Sequence, residues 1–203
     1  MEPPLEPLVR IEAVVLPIAE PNCDTDQITP ARFLQKPRSD DFGRYLFADV
    51  RFRADGSEIP DFILNRPEYR VARIIAAERN FGCGSSREHA VWSLHDYGIR
   101  AVIAPSFGDI FRSNCLKNGL VPVVLPQDEV KALLDGLAAS PGAHVTVDVV
   151  DQVVVFPDGS VHGFDIDPFA KHCIVQGLDE LDYTLSQSSA IESFERDYDE
   201  RHR

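Results

Sequence analysis

Apolar positions along the chain fall into two rhythms that alternate. LVRIEAVVLPI (8–18) reads as a first strand that ends at Pro17 and the turn-rich EPNCDTDQITP. VARIIAA (71–77) is a short apolar run suited to a strand buried on both faces. SREHAVWSLHDYG then carries Ala90, Val91, Leu94 and Tyr97 near helical spacing, with Gly98 as a stop. The alternation repeats as RAVIAP (100–105), FGDIFRSNCLKNG (107–119), VPVVLP (121–126) and QDEVKALLDGLAAS (127–140). Three successive strand–helix units predict parallel pairing with helical crossovers. Beyond Pro141 the rhythm changes. HVTVDVVDQVVVFPDGSVHGFDI alternates, is rich in valine and holds an Asp-Gly turn, so it predicts an antiparallel meander. PFAKHCIVQG and the final segment read as helices, whereas residues 31–60 read as a long, partly helical excursion. The expected class is α/β: one domain over residues 1–203, its mixed sheet partly barrel-like and flanked by helices. Residues 186–203 would form a peripheral helix or tail.

Charge narrows the function. A net charge of −13 opposes a nucleic-acid surface, which needs clustered Lys and Arg. No run approaches the roughly 18 apolar residues of a membrane span, and the N-terminus has prolines and acids where a signal peptide needs a basic start. A cytoplasmic location is expected. Cys23, Cys83, Cys115 and Cys173 form no CxxC or similar pair, so free thiols are expected and no metal is assigned to this chain.

The segment that suggests chemistry is GCGSSREHA (82–90). Read locally, Ser85 and Glu88 fit an S-x-x-E capping box, and Gly82 and Gly84 permit a sharp strand-to-helix turn. The same geometry has a second use. A glycine-rich turn that opens a helix favours an anion, Arg87 offers a fork for a carboxylate, and Ser85 and Ser86 add hydroxyls. A small carboxylic acid suits this set better than a phosphate loop, because the Gly-Lys-Ser/Thr ending is missing. Ser85 as a base would need its alkoxide stabilised and the substrate acidified. Arg87 and the helix start supply part of that, so the sequence implies half a site.

NFGCGSSREHA followed by DYGIRAVIAPSFGDIFRSN resembles the swivelling domain of the aconitase superfamily. With DTDQITPARFL near the N-terminus, residues 8–185 resemble the small-subunit family of the 3-isopropylmalate dehydratases. The resemblance implies interconversion of 2- and 3-isopropylmalate through isopropylmaleate, in leucine biosynthesis. It also implies a large partner subunit that holds a [4Fe–4S] cluster, with none bound by this chain. By the same resemblance Ser85 is the base that takes the carbon-bound proton, while Ser86 and Arg87 bind substrate. Asp26 supports an arginine or the serine's surroundings, and Arg38 is a substrate-binding candidate in competition with Arg32 and Arg44. His89 is supporting, either catalytic or packing locally, and Ser106 and Asn114 either line the site or pack. His95, Trp92 and Asp96 read as helix-face residues. The apolar branch of isopropylmalate would meet Leu34, Phe42, Leu46 and Phe47 of the 33–49 loop, with no arginine of that loop aimed at it. Two other readings stay open: the small subunit of a homoaconitase or related dehydratase, and a carboxylate-binding swivel domain without chemistry.

Overall fold

A computed structural model describes residues 5–38 and 41–202. Residues 1–4, where the sequence was read for a signal peptide, Ser39 and Asp40 of the 33–49 loop, and Arg203 of the tail lie outside the described residues.

The strands form one seven-stranded sheet in the order β4-β3-β2-β1-β5-β6-β7. β1 (Arg10–Ile18), β2 (Ile74–Ala77), β3 (Ala101–Ala104) and β4 (Val121–Val124) are parallel neighbours. β5 (His144–Asp148) runs antiparallel to β1 and continues into β6 (Val153–Val155) and β7 (Val161–Gly163) as the expected meander, which turns at Gly159 with φ 85°.

β1 passes through Pro17 instead of ending there. Pro17 pairs with Ala76 of β2, while the register with β5 is already over at Val14. No ladder partner therefore asks Pro17 for an N–H. Pro122 is tolerated in β4 for a related reason, since β4 is an edge.

Alternation along the parallel strands feeds two cores. Val14, Leu16, Ile75, Ala77, Val102 and Ala104 face α3 (Glu88–Tyr97) and α4 (Asp109–Lys117). Val15, Ile74, Ala76, Ile103, Val121 and Val123 face α5 (Gln127–Ala139) and Ile174 of α6 (Pro168–Gln176). Both faces are covered, which is why these strands read as unbroken apolar runs.

The excursion between β1 and β2 holds α1 (Thr25–Ile28), 3₁₀ turns at Ala31–Phe33, Phe42–Tyr45 and Ile63–Asn65, and α2 (Ala48–Arg51). Phe42 and Leu46 are fully buried, and Phe47 is 3% exposed. Burying such side chains is worth about 1.5–3 kcal/mol each, so they anchor the loop to the body. At Gly43 a side chain would run into the backbone of Tyr97, which keeps this loop flat against α3. Past α6, α7 (Glu180–Ser186) and α8 (Ser188–Arg201) lie at the periphery.

Candidate active site at the strand ends

β1, β2 and β3 end on the same side, and the loops that follow them meet there. Backbone bonds join them: Gly82 N donates to Cys23 O at 2.7 Å, Thr25 N to Cys83 O at 2.9 Å, and Phe81 N to Ser106 O at 3.1 Å. The carboxyl edge of parallel strands is where open α/β sheets place ligands.

Two glycines make the approach possible. Gly82 has φ +70° and sits on the Phe111 ring, where a side chain has no room. A Cβ on Gly108 would lie 2.6 Å from Gly82 O. Gly84, at φ +91°, turns the chain outward without crowding.

Ser85 and Ser86 follow, both exposed, and the helix begins later than the motif predicts. Arg87 is the extended N-cap and α3 starts at Glu88, so the Ser85–Glu88 capping box does not form. The positive φ at Gly84 and the extended Arg87 leave Ser85 before the N-cap, outside the capping position. Its carbonyl accepts instead from Thr25 Oγ1 at 3.0 Å. No side chain caps α3, so its first N–H groups and positive dipole end stand beside the exposed serines. The capping box that does form is in α1, where Asp24 accepts from Gln27 N at 2.7 Å and Gln27 Oε1 accepts from Asp24 N at 2.9 Å. Its D-x-x-Q spacing was a readable signal.

Asp26 and Arg87 form an ion pair through Nη1. The same Asp26 oxygen accepts from Ala31 N at 3.1 Å. Asp26 thus ties the arginine beside the serines to the start of the 31–49 excursion.

His89 is half-buried, with its ring centroid 4.5 Å from Trp92 and 5.8 Å from Phe42. Burial is the largest influence and holds its pKa below the ordinary histidine value, with the Leu34 backbone acting the other way. It packs the loop onto α3. Ser106 holds the glycine turn through its Oγ, which accepts from Asn80 N at 2.9 Å, and the Asn114 carbonyl accepts from Asn118 Nδ2 at 2.9 Å.

Arg38 does not reach the serines. Its Nη2 and Nε donate to the two oxygens of Asp96 at 2.9 and 3.3 Å, and Nη1 donates to Asn118 Oδ1 at 3.3 Å. Its guanidinium also lies over the Trp92 ring, 5.5 Å from the centroid. With its side chain 8% exposed, Arg38 is a structural cation here. Asp96 is correspondingly more than the helix-face residue expected, a partner that only the tertiary fold brings to Arg38. The two rivals are also engaged: Arg32 pairs with Asp49, and Arg44 Nη2 donates to Tyr45 OH at 2.6 Å. Phe42, Leu46 and Phe47, expected around an apolar substrate branch, are core residues, and only Leu34 of that set is part-exposed.

Among the described residues no group of three His, Cys, Asp or Glu side chains is arranged to hold a metal. Cys23, Cys115 and Cys173 are buried, and the half-buried Cys83 donates to the Asn22 carbonyl at 3.5 Å. The thiols of this chain therefore do not fit an iron–sulfur cluster.

Residues 6–128 match the family described as Aconitase C-terminal domain, and residues 131–168 match LeuD_N. The first match covers more than half of the chain and, with the strand-end loops, defines an aconitase-type domain. Among relatives, the 3-isopropylmalate dehydratase small subunit of Paramagnetospirillum magneticum is 48% identical over 94% of this chain and 95% of its own length. That of Parvibaculum lavamentivorans is also 48% identical, over the same shares. A solved 3-isopropylmalate dehydratase structure from Methanocaldococcus jannaschii superposes with a TM-score of 0.66 at 26% identity, over 92% of this chain and 99% of that one. The chain belongs to the family of 3-isopropylmalate dehydratase small subunits.

Proposed function

We propose that this chain is the smaller partner of a two-subunit hydro-lyase of leucine biosynthesis, interconverting 2- and 3-isopropylmalate through isopropylmaleate. The observation that carries the reading is the exposed Ser85-Ser86 pair at an uncapped helix start, beside an arginine already oriented by Asp26. The names of the relatives support the substrate.

Ser85, as oxyanion, takes the proton from the carbon next to a substrate carboxylate, and the hydroxyl leaves the neighbouring carbon as hydroxide, which the partner's cluster would accept as a Lewis acid. Arg87 grips a carboxylate, with Ser86 donating beside it. Return of hydroxide to the carbon that lost the proton, with delivery of the Ser85 proton to the carbon that lost the hydroxyl, gives the other isomer and restores the serine oxyanion. The positive end of α3 and the Arg87 guanidinium favour the serine oxyanion.

Ser85 and Ser86 are open to solvent, and among the described residues no group of His, Cys, Asp or Glu is arranged to hold a metal, so a larger subunit covers the site and bears the cluster that the family implies. We read residues 1–203 as one swivelling-type domain, with 186–203 peripheral, working in the cytoplasm without membrane or nucleic acid. Among the described residues no helix is long and apolar enough to cross a membrane.

The test is hydration of isopropylmaleate, followed by its ultraviolet absorbance, with both subunits present. Ser85→Ala is expected to lower the rate by about 10²–10⁴-fold while the subunits still associate. Full activity in that variant removes Ser85 as the base. Turnover of homoaconitate but not isopropylmaleate reassigns the substrate.

A further inference from the structure

Beside the serine loop the surface opens into a cleft of about 370 Å³ to which the proposed chemistry gives no role. Ile18, Phe62 and Ile63 line it, each partly buried and packed against the core, together with buried Phe47. Cys23 lines it too, and its thiol is uncharged, because burial first and then Asp24 push its pKa up to about 12. Val50, 47% exposed, and Ala19, also exposed, line it where it meets water. Among the described residues of its wall, Glu20 alone is charged.

The cleft is continuous with the site. Cys23 O accepts from Gly82 N at 2.7 Å, and Gln27, another residue of the wall, closes the capping box on Asp24. Thr25, which lies between Cys23 and Gln27, donates from Oγ1 to Ser85 O at 3.0 Å. Ser85 is three residues beyond Gly82, a span of at most about 11 Å of extended chain. A stable interface takes about 800 Å² from each partner, which as a disc has a radius of roughly 16 Å. A subunit that covers Ser85 and Ser86 with such a footprint reaches the cleft as well.

We infer that this cleft is the socket for an apolar side chain of the larger subunit, seated between Val50 and the 17–21 turn. Interfaces concentrate their affinity on a few buried anchors of this kind. The inference goes beyond the function proposed above and rests on it for the identity of the partner.

Two measurements test this on the full chain and its larger subunit. Backbone hydrogen exchange of wild type is read with and without the partner. Segments 17–27 and 47–63 are expected to slow together with 82–87, and slowing confined to 82–90 overturns the inference. The dissociation constant is then measured for Val50→Arg, Ala19→Arg and a control, Val71→Arg. Val71 is 67% exposed and precedes β2, at the sheet edge opposite the serine loop. Each rim variant is expected to bind at least about tenfold more weakly with an unchanged urea midpoint, and the control to bind within about twofold of wild type. At saturating partner the rim variants recover the wild-type kcat on isopropylmaleate. Rim variants that bind as wild type does overturn the inference. So does unchanged binding with a raised KM, which gives the cleft to a small molecule. A wild-type chain that does not bind the larger subunit refutes the two-subunit reading and the socket with it, whereas a complex that forms but ignores isopropylmaleate refutes only the substrate.

Discussion

Gly82 shows how little freedom the site leaves to a single residue. It combines a positive φ with the Phe111 ring lying against its α-carbon. A methyl group there meets an aromatic ring fixed in the core, 3% exposed. Gly82→Ala is expected to lose about 2–4 kcal/mol of unfolding free energy, from backbone strain and overpacking together. Denaturant titration reads this directly. Gly84→Ala carries only the strain, because nothing lies closer than 3.5 Å to the added carbon, so its loss should be smaller. Equal losses at the two positions would exclude Phe111 as the cause. Residue types announced the turn of this loop: Gly82 and Gly84 are legible as its positive-φ positions, and the two serines and the arginine follow at the helix start. The role of Asp96 was not, because it lies 58 positions from the arginine that it holds.

Among elements, the joint between the 31–49 loop and α3 carries the pH dependence. Burial by itself would raise the Asp96 pKa, but hydrogen bonds and charges from His95 and Arg38 outweigh it and hold the group below the usual carboxylate range. A carboxyl depressed in the folded state adds stability above its unfolded value, near pH 4, and that stability is lost as pH falls through the folded value. Wild type and Asp96→Asn are therefore expected to differ in urea midpoint at pH 7 and to converge below about pH 4. Midpoints that stay parallel throughout would show that the pair does not set the acid limb. The strands and long helices were legible from periodicity alone, to within a few residues at their ends. The start of α3 was not, since the S-x-x-E pattern fits a capping box whose geometry the Gly84 turn removes. Nor was the fate of the loop's aromatic residues: apolar side chains in an irregular stretch look alike whether they face a ligand or the core.

For the whole molecule, the thiols report how the two cores are closed. Cys115 is fully buried, and burial raises its pKa well above the ordinary value. Burial, then Asp24, pushes Cys23 up to about 12, and burial likewise raises Cys173. Cys83 is raised by burial and Asp24 as well, yet it is half-exposed. Native protein treated with iodoacetamide is expected to label at Cys83 first, with Cys23, Cys115 and Cys173 following only on unfolding; mass spectrometry of the peptides decides it. Early labelling of Cys115 would mean that the core beneath α4 opens on its own.

The loops around Ser85 come from three neighbouring strands and are stitched to one another through main-chain bonds. Their shape is inherited from the sheet beneath them. On warming, such a loop has no separate melting of its own to undergo. The serine should keep its place until the sheet gives way, so heat inactivation of the assembled enzyme and collapse of this chain should fall at one temperature.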